Sequence, residues 1–301
     1  MGQASEEKGT VIHRYKEWKR HGRKALLKPA MTKKGKWLRF IIFAILALAV
    51  LFIAFLGPVL APYDPLATDY GASLSPPSPE HWFGTDNVGR DVLSRILYGA
   101  GNSFSLTFIM VAAVSVIGTL IGMVSGYFGG ILDTIIMRFT DILLAFPDTV
   151  FAIAVVGMIG PGLLNTILAL SLVWWTKYAR LTRGLASVMR SKDFIIQARF
   201  GGVKTPGILF RYILPNVLPQ VVVTMTLDIG GMMLSLAGLS FLGLASQPPT
   251  PEWGYMLYEG KSYLQTAPWI MLFAGLAIFI TVLVFNLLGD SLRDILDPKE
   301  E

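Results

Sequence analysis

Long uncharged stretches of apolar residues alternate with shorter polar segments through most of this chain of 301 residues. A helix needs about 20 apolar residues to cross the hydrocarbon core of a bilayer. Such a stretch must be helical in lipid, because its backbone polar groups can bond only to one another. The pattern predicts an all-α, polytopic membrane protein with six transmembrane helices, at about residues 40–60, 103–127, 135–158, 163–176, 217–244 and 268–288.

The composition agrees with lipid as the solvent. Charged residues make up 15% of the chain and the mean hydropathy is +0.56, whereas soluble domains carry about 25% charged residues. The absence of cysteine excludes a disulfide framework, an iron–sulfur site and a thiol nucleophile. The first apolar run is too long for a cleaved signal peptide, so residues 40–60 are interpreted as the first transmembrane helix.

The placement of basic residues predicts the orientation. With six spans, 23 of the 26 Lys and Arg residues fall on one side of the membrane. Basic loops face the cytoplasm, so both termini are predicted to be cytoplasmic and the protein to be multi-pass. The resulting segments are a basic cytoplasmic tail (1–39), an extracytoplasmic segment (61–102), a five-helix core (103–288) that includes a cytoplasmic loop (181–215), and a cytoplasmic C-terminal tail (289–301).

The cytoplasmic loop has its own helical pattern. Phe194, Ile195 and Ala198 form one apolar face of a short helix, and Gly201-Gly202 end it. A second short helix is predicted after Pro206. A helix–glycine–helix element suits docking into the groove of a soluble partner, although a basic loop can also serve only as an orientation signal.

Several motifs carry a family resemblance. Ala198, Gly202 and Leu214-Pro215 match the spacing of the "EAA…G…I-LP" loop of ABC-importer permeases, although Ile196 and Gln197 depart from its first positions. Residues 81–95, 247–254 and 289–298 resemble signatures of the dipeptide, oligopeptide and nickel branch. The resemblance extends over roughly residues 40–298 and is strongest to the C-type permease subunit of dipeptide importers.

The resemblance implies a type I ABC-importer permease fold and a transport subunit that is not itself an enzyme. It implies a second permease subunit in a heterodimer, two ABC ATPase subunits and an extracytoplasmic substrate-binding protein. No cofactor is expected in this chain, because ATP and Mg would bind the ATPase subunits. The loop 181–215 becomes a coupling helix, with Phe194, Ala198, Gly202, Lys204 and Pro215 as the expected coupling residues.

Three acidic residues fall within or near the spans, where ionisable groups are costly and often functional. Asp228 is the strongest candidate for the translocation pathway, since the amino group of a peptide would be a charged partner for it. Asp148 follows Pro147 and is equally suited to bonding backbone groups that the proline frees. Asp141 is expected to pair locally with Arg138.

Two further features have open interpretations. In the extracytoplasmic segment, Thr85 or Asp86 is expected to cap a short amphipathic helix through about Tyr98, which either leads into the second span or forms a contact surface. Trp253 is expected either to anchor at the membrane interface or to contact a partner.

The leading interpretation is a permease subunit for di- and oligopeptides in a bacterial or archaeal inner membrane. Nickel and oligosaccharides remain open as substrates, because the binding protein makes much of the selection. A secondary transporter is the distant alternative, but the sequence shows no clear internal repeat. A membrane enzyme is disfavoured by the lack of a catalytic set at one depth. No nucleic-acid partner is predicted.

Overall fold

Helices form most of the computed structural model, which describes residues 33–296. The tail prediction for residues 1–32 and the end of the chain at 297–301 lie outside this range. The chain divides at Arg39 into two compact units, and only the opening turns of the first helix are described in the first unit. In chain order the helices are α1 (Lys33–Leu60), α2 (Val92–Phe128), α3 (Gly130–Leu144), α4 (Asp148–Ile159), α5 (Leu163–Met189), α6 (Asp193–Phe200), α7 (Thr205–Phe241), α8 (Trp253–Gly260) and α9 (Trp269–Leu296).

Four of the described helices, α1, α2, α7 and α9, are long and apolar enough to cross a bilayer, and α3 with α4 supplies a fifth crossing if counted together. Helix α5 has 27 residues, but its second half carries Lys177, Arg180 and Arg183. The predicted count of six spans agrees with the structure if the bent pair α3–α4 is counted as the third span and the whole of α5 as the fourth. Residues 163–176 alone would be too short to cross.

The third predicted span is not one continuous helix, and this expectation was wrong. Helices α3 and α4 meet at an angle of 86° across the break between Leu144 and Asp148. Pro147 lies at that break, lacks an N–H to donate, and disfavours helical geometry at Phe146 before it. The apolar pattern could not reveal this, because the two arms of the bend together are apolar enough to be taken for one span.

The separate short helix predicted in the extracytoplasmic segment is also absent. The chain turns through residues 85–91, with an isolated bridge between Thr85 and Asp91 and a left-handed backbone at Gly89 (φ 80°). Asp91 then caps α2, since its carboxylate accepts a bond of 2.8 Å from the backbone N–H of Ser94. The predicted helix is the first part of the second span, which begins earlier than expected.

Helices α2 and α5 pack along a ridge of small residues, as the spacing of Gly118, Gly122 and Gly126 in the sequence suggests. A methyl group at Gly122 would overlap the carbonyl oxygen of Ala179 and the hydroxyl of Thr182 on α5. The other two glycines face α5 backbone in the same way. Close approach of these two backbones therefore depends on the missing side chains.

The buried residues form two clusters. The larger one fills the centre of the bundle and includes Phe104 on α2, Leu170 on α5, Met232 on α7 and Phe285 on α9. The smaller one joins the last turns of α2 and α5 to α6 and the first turns of α7. We call this end of the molecule the α6 end. The opposite end, where the start of α2 meets α8, is the α8 end.

Candidate functional site

Helix α6 is fixed to the bundle by one face. Ile195 is completely buried and packs in a cluster with Met123, Ala186 and Ile208. The helix ends where Gly202 adopts a left-handed backbone (φ 80°), and the N–H of Val203 turns back to the carbonyl of Ala198 at 3.1 Å. The predicted helix and its glycine stop are therefore present.

Most other side chains of α6 are exposed, and three of them are large and apolar. Phe194 and Ile196 are exposed, and Phe200 has 89% of its surface exposed. Sequence reasoning missed Phe200, although an aromatic residue directly before a Gly-Gly stop was the available signal. Exposed apolar groups of this size mark contact surfaces.

The five predicted coupling residues divide into two groups. The structure brings Phe194, Ala198 and Gly202 together on α6 and its end, with Ala198 half-buried. Lys204 and Pro215 are exposed on the chain that follows, just before and within α7. Their coupling role stays a prediction.

Two arginines of the basic segment have structural contacts with α2. Arg190 donates to the backbone carbonyl of Phe128 at 3.1 Å, and Arg199 donates to the hydroxyl of Tyr127 at 3.2 Å. The guanidinium of Arg199 also lies 5.6 Å from the Tyr127 ring centre. Cations at the C-terminal end of a helix interact favourably with its dipole. Arg199 therefore ties α6 to α2, and Arg190 ties the end of α5 to α2.

A buried acid and a lysine form an ion pair between the middles of α5 and α7. Asp228 is 4% exposed, and its Oδ1 lies 2.5 Å from Nζ of Lys177. The lysine side chain is 53% exposed and lies 5.9 Å from the Trp174 ring centre. Among the pathway candidates, Asp228 alone is thus buried with a charged partner from another helix.

The bend between α3 and α4 opens a cavity of about 300 Å³ beside this ion pair. We call it the midspan cavity. Asp148 enters it because α4 begins directly after the break at Pro147. Its lining includes Leu144, Phe146, Asp148, Trp174, Thr176 and Lys177.

Asp141 is placed differently from the expectation. It pairs with Arg180 of α5 rather than with Arg138, and both side chains of this pair are about half-exposed. The spacing of three residues on one helix suggested the local pair, but packing of α3 against α5 supplied a different partner. Asp133, which sequence reasoning did not single out, bonds to Arg183 and Ser125.

The α8 end holds a buried network of two arginines and two acids. Asp86 accepts from Nε of Arg90 at 2.6 Å, and Glu259 on α8 accepts from Arg90 at 2.8 Å and Arg95 at 2.5 Å. Arg95 is only 1% exposed. This network joins the segment before α2 to α8, so the motif at residues 81–95 has a structural role at this end.

Two further residues complete the contact of α8 with α2. Glu252 caps α8 by accepting from the backbone N–H groups of Gly254 and Tyr255. Burial raises the pKa of the Glu252 carboxyl above its ordinary value, and these backbone bonds oppose the rise. Trp253 is buried and donates to the Ile96 carbonyl, so neither the interface anchor nor the exposed docking contact expected for it is correct.

Comparisons with known proteins agree with this architecture. Residues 118–301 match the family model described as "Binding-protein-dependent transport system inner membrane component". The chain is 42% identical over 255 residues to the dipeptide transport system permease protein of Alkalihalophilus pseudofirmus, spanning 85% of this chain and 84% of that one. It is 45% identical over 253 residues to the glutathione transport system permease protein of Pectobacterium atrosepticum, spanning 84% of each.

A solved structure supports the fold. The structure titled "Inward facing conformations of the MetNI methionine ABC transporter: CY5 native crystal form" matches with a TM-score of 0.54 and 19% identity. The match spans 67% of this chain and 96% of the other. At this identity the similarity concerns the helical architecture alone.

Proposed function

The chain belongs to the family of binding-protein-dependent transport system inner membrane components, and from this premise we propose that it forms the pathway for import of di- and oligopeptides. As a member of this family it is a multi-pass membrane permease subunit of an ABC transporter. The peptide substrate is supported by the names of two relatives, which transport dipeptides and glutathione. Both substrates are short peptides with charged ends.

In this proposal the chain pairs with a second permease subunit and works with two ATPase subunits and an extracytoplasmic binding protein. ATP and Mg would bind the ATPase subunits rather than this chain. The α6 end faces the cytoplasm together with both termini. The support is the concentration of eight basic residues between Lys177 and Arg211, since cytoplasmic segments are rich in Lys and Arg.

Helix α6 is the coupling helix in this proposal. The observation that carries it is the division of α6 into a buried anchor, Ile195, and an exposed apolar face with Phe194 and Phe200. Such a helix can fill a groove on an ATPase subunit. Movement of α6 would then pass through its contacts with α2 and α7 into the membrane helices.

Coupling is tested at Gly202. In Gly202→Trp, a bulky residue must adopt a left-handed backbone that costs about 1–2 kcal/mol for an ordinary L-residue. We expect peptide uptake to be lost, with ATP hydrolysis uncoupled from it. Gly202→Asn is the matched control, because Asn tolerates this backbone region. Unchanged uptake and subunit assembly in Gly202→Trp would contradict the coupling assignment.

The substrate class is tested by uptake into cells that express the complete importer. Labelled dipeptide, nickel ion and a labelled oligosaccharide are compared, each with and without the ATPase subunits. We expect ATPase-dependent uptake of the dipeptide. Uptake of nickel or oligosaccharide instead would retain the permease assignment and replace the substrate, whereas uptake without ATPase subunits would favour a secondary transporter.

A further inference from the structure

The ion pair between Lys177 and Asp228 joins a buried site to an open one. The carboxylate of Asp228 is on α7 inside the bundle, and the Lys177 side chain, from α5, reaches into the midspan cavity. Of the two members of the pair, only Lys177 lines the midspan cavity. This arrangement places the lysine ammonium between a buried acid and an open cavity.

Buried polar groups around this pair lack protein partners. Oδ2 of Asp228, the hydroxyl of Tyr178 and Nε1 of Trp174 each have no hydrogen-bond partner among residues 33–296. Tyr178 is completely buried, and its hydroxyl lies near enough to Asp228 to donate a hydrogen bond to that carboxylate after a small shift. Buried polar atoms are normally bonded, so Oδ2 of Asp228 can accept one further bond, either from the Tyr178 hydroxyl or from a bound ammonium.

From these contacts we propose that Lys177 and Asp228 exchange partners with a peptide in transit: the peptide's ammonium replaces Lys177 at Asp228, and the released Lys177 binds the peptide's carboxylate. The inference rests on the proposed function and extends it to the recognition of a zwitterion. Asp148 in the cavity wall gives the ammonium a first contact before it reaches Asp228.

Charge and size favour this ligand. Asp148, Lys177 and Asp228 together carry a net charge of −1 when ionised, which attracts the ammonium end first. The ammonium of a peptide has the same chemistry as that of lysine, so it can also lie near the Trp174 ring as Lys177 does. A cavity of about 300 Å³ is at the lower limit of small-molecule sites, which suits a dipeptide better than an oligosaccharide.

The decisive experiment is transport by the complete importer reconstituted in proteoliposomes, with alanyl-alanine as substrate. Lys177→Met/Asp228→Asn removes the pair without leaving a lone buried charge. We expect assembly and ATP hydrolysis stimulated by the binding protein to remain, while transport falls about tenfold, equivalent to about 1.4 kcal/mol. Arg183→Met/Asp133→Asn is the matched control, since it removes another ion pair of α5 nearer the α6 end, and it should transport as wild type does.

The outcomes separate the two proposals. If the wild-type importer does not transport the dipeptide, the proposed function fails and this inference fails with it. If the wild type transports and the Lys177/Asp228 double variant does so equally well, the pair only holds helices together and the inference is overturned. If the double variant loses ATP hydrolysis too, the inference is tested by a second measurement on a protein in which Lys177 and Asp228 are unchanged.

That measurement uses the absence of cysteine from this chain. Leu144→Cys places a single thiol in the wall of the midspan cavity, and its reaction with a polar maleimide is followed in the importer without binding protein. Alanyl-alanine at its Kd should lower the labelling rate to about half by occupancy, and N-acetyl-alanyl-alanine should protect much less. Leu234→Cys, in an apolar cavity elsewhere, is the control. Equal protection by both peptides, or none, overturns the inference.

Discussion

Two side chains of α6, Phe200 and Ile195, differ in burial and therefore in the role expected for each. Phe200 is almost fully exposed, while Ile195, five residues earlier on the same short helix, is completely buried. An exposed aromatic residue such as Phe200 contributes little to the folding of the isolated subunit, whereas a buried aliphatic residue such as Ile195 is part of the core. The two residues therefore allow docking and stability to be measured separately.

We expect Phe200→Ser to weaken recovery of the ATPase subunits with the purified permease and to leave the thermal unfolding midpoint of the isolated chain unchanged. Ile195→Ala should lower that midpoint, since truncation of a buried aliphatic residue costs about 2–5 kcal/mol. Co-purification and thermal unfolding of both variants check this. Normal ATPase recovery with Phe200→Ser would remove this residue from the docking surface.

Glu252 gives the α8 end a dependence on pH. Its carboxyl is buried and its pKa is raised in the folded protein. A raised pKa means that folding favours the protonated form, so this group's stabilisation is complete below the ordinary pKa of Glu and is lost as pH rises through the folded value. The charged form is thus the less favourable one in the fold.

Glu252→Gln has no such titration. The variant should be less stable than wild type at acid pH, because its amide cannot accept from both Gly254 and Tyr255. This deficit should become smaller as pH rises. Thermal midpoints of the two proteins at pH 4 and pH 8 test the prediction, and a deficit that grows with pH would contradict it.

At the scale of helices, the close packing of α2 against α5 depends on glycine. Backbone carbonyls of α5 occupy the space that side chains at Gly118, Gly122 and Gly126 would need. Gly184 lies on α5 with nothing within 4 Å of where its side chain would be. The same substitution at these two kinds of position should therefore have opposite effects.

Gly122→Ala is expected to destabilise the protein by about 1–3 kcal/mol or more, as overpacking of a tight contact does. Gly184→Ala should be neutral or stabilising by up to about 1 kcal/mol, because Ala favours the helix more than Gly. Thermal unfolding of both purified variants provides the comparison. Equal effects would show that the α2–α5 contact is looser than the structure indicates.

For the whole molecule, the network at the α8 end joins segments far apart in sequence. Glu259 bonds to both Arg90 and Arg95, which lie more than 160 positions earlier and are almost fully buried, and Asp86 supplies the second negative charge. Removing one member of such a buried pair leaves an uncompensated charge, at a cost of about 3–5 kcal/mol.

Glu259→Gln should accordingly lower the thermal midpoint strongly. Asp141→Asn breaks the half-exposed pair with Arg180 and should cost at most about 1 kcal/mol. Differential scanning of the two variants beside wild type measures the contrast. A small effect at Glu259 would mean that water or a partner compensates the arginines.

The sequence predicted the helical architecture because an apolar segment that crosses lipid must bond its backbone polar groups within itself. The apolar runs predicted the α-helical class, and the motifs identified the permease family, which the comparisons confirm. The bend at Pro147 was missed because the hydrophobicity of a segment does not show in which direction its helix runs. At the α8 end, spacing along the chain predicts the local pair of Asp86 with Arg90, which is present. The part of Glu259 was missed because it reaches Arg90 and Arg95 only after folding.

The site was predicted in part for the same reason. The helix at α6 and its glycine stop depend on local pattern, and both are present. The partner of Asp228 could not be deduced, because Lys177 lies 51 positions away on another helix. Phe200 was missed because exposure of an apolar residue depends on which face the bundle covers.

Helix α2 has a consequence for communication between the two faces of the membrane. Its 37 residues form a rod of about 55 Å at about 1.5 Å per residue, held by Asp91 and Arg95 at one end and by Arg190 and Arg199 at the other. Linkage between sites is reciprocal. If the proposed partners bind at the two ends of α2, the free energy by which ATP binding at the α6 end changes the affinity for a binding protein at the α8 end must equal the effect of that binding protein on ATP binding.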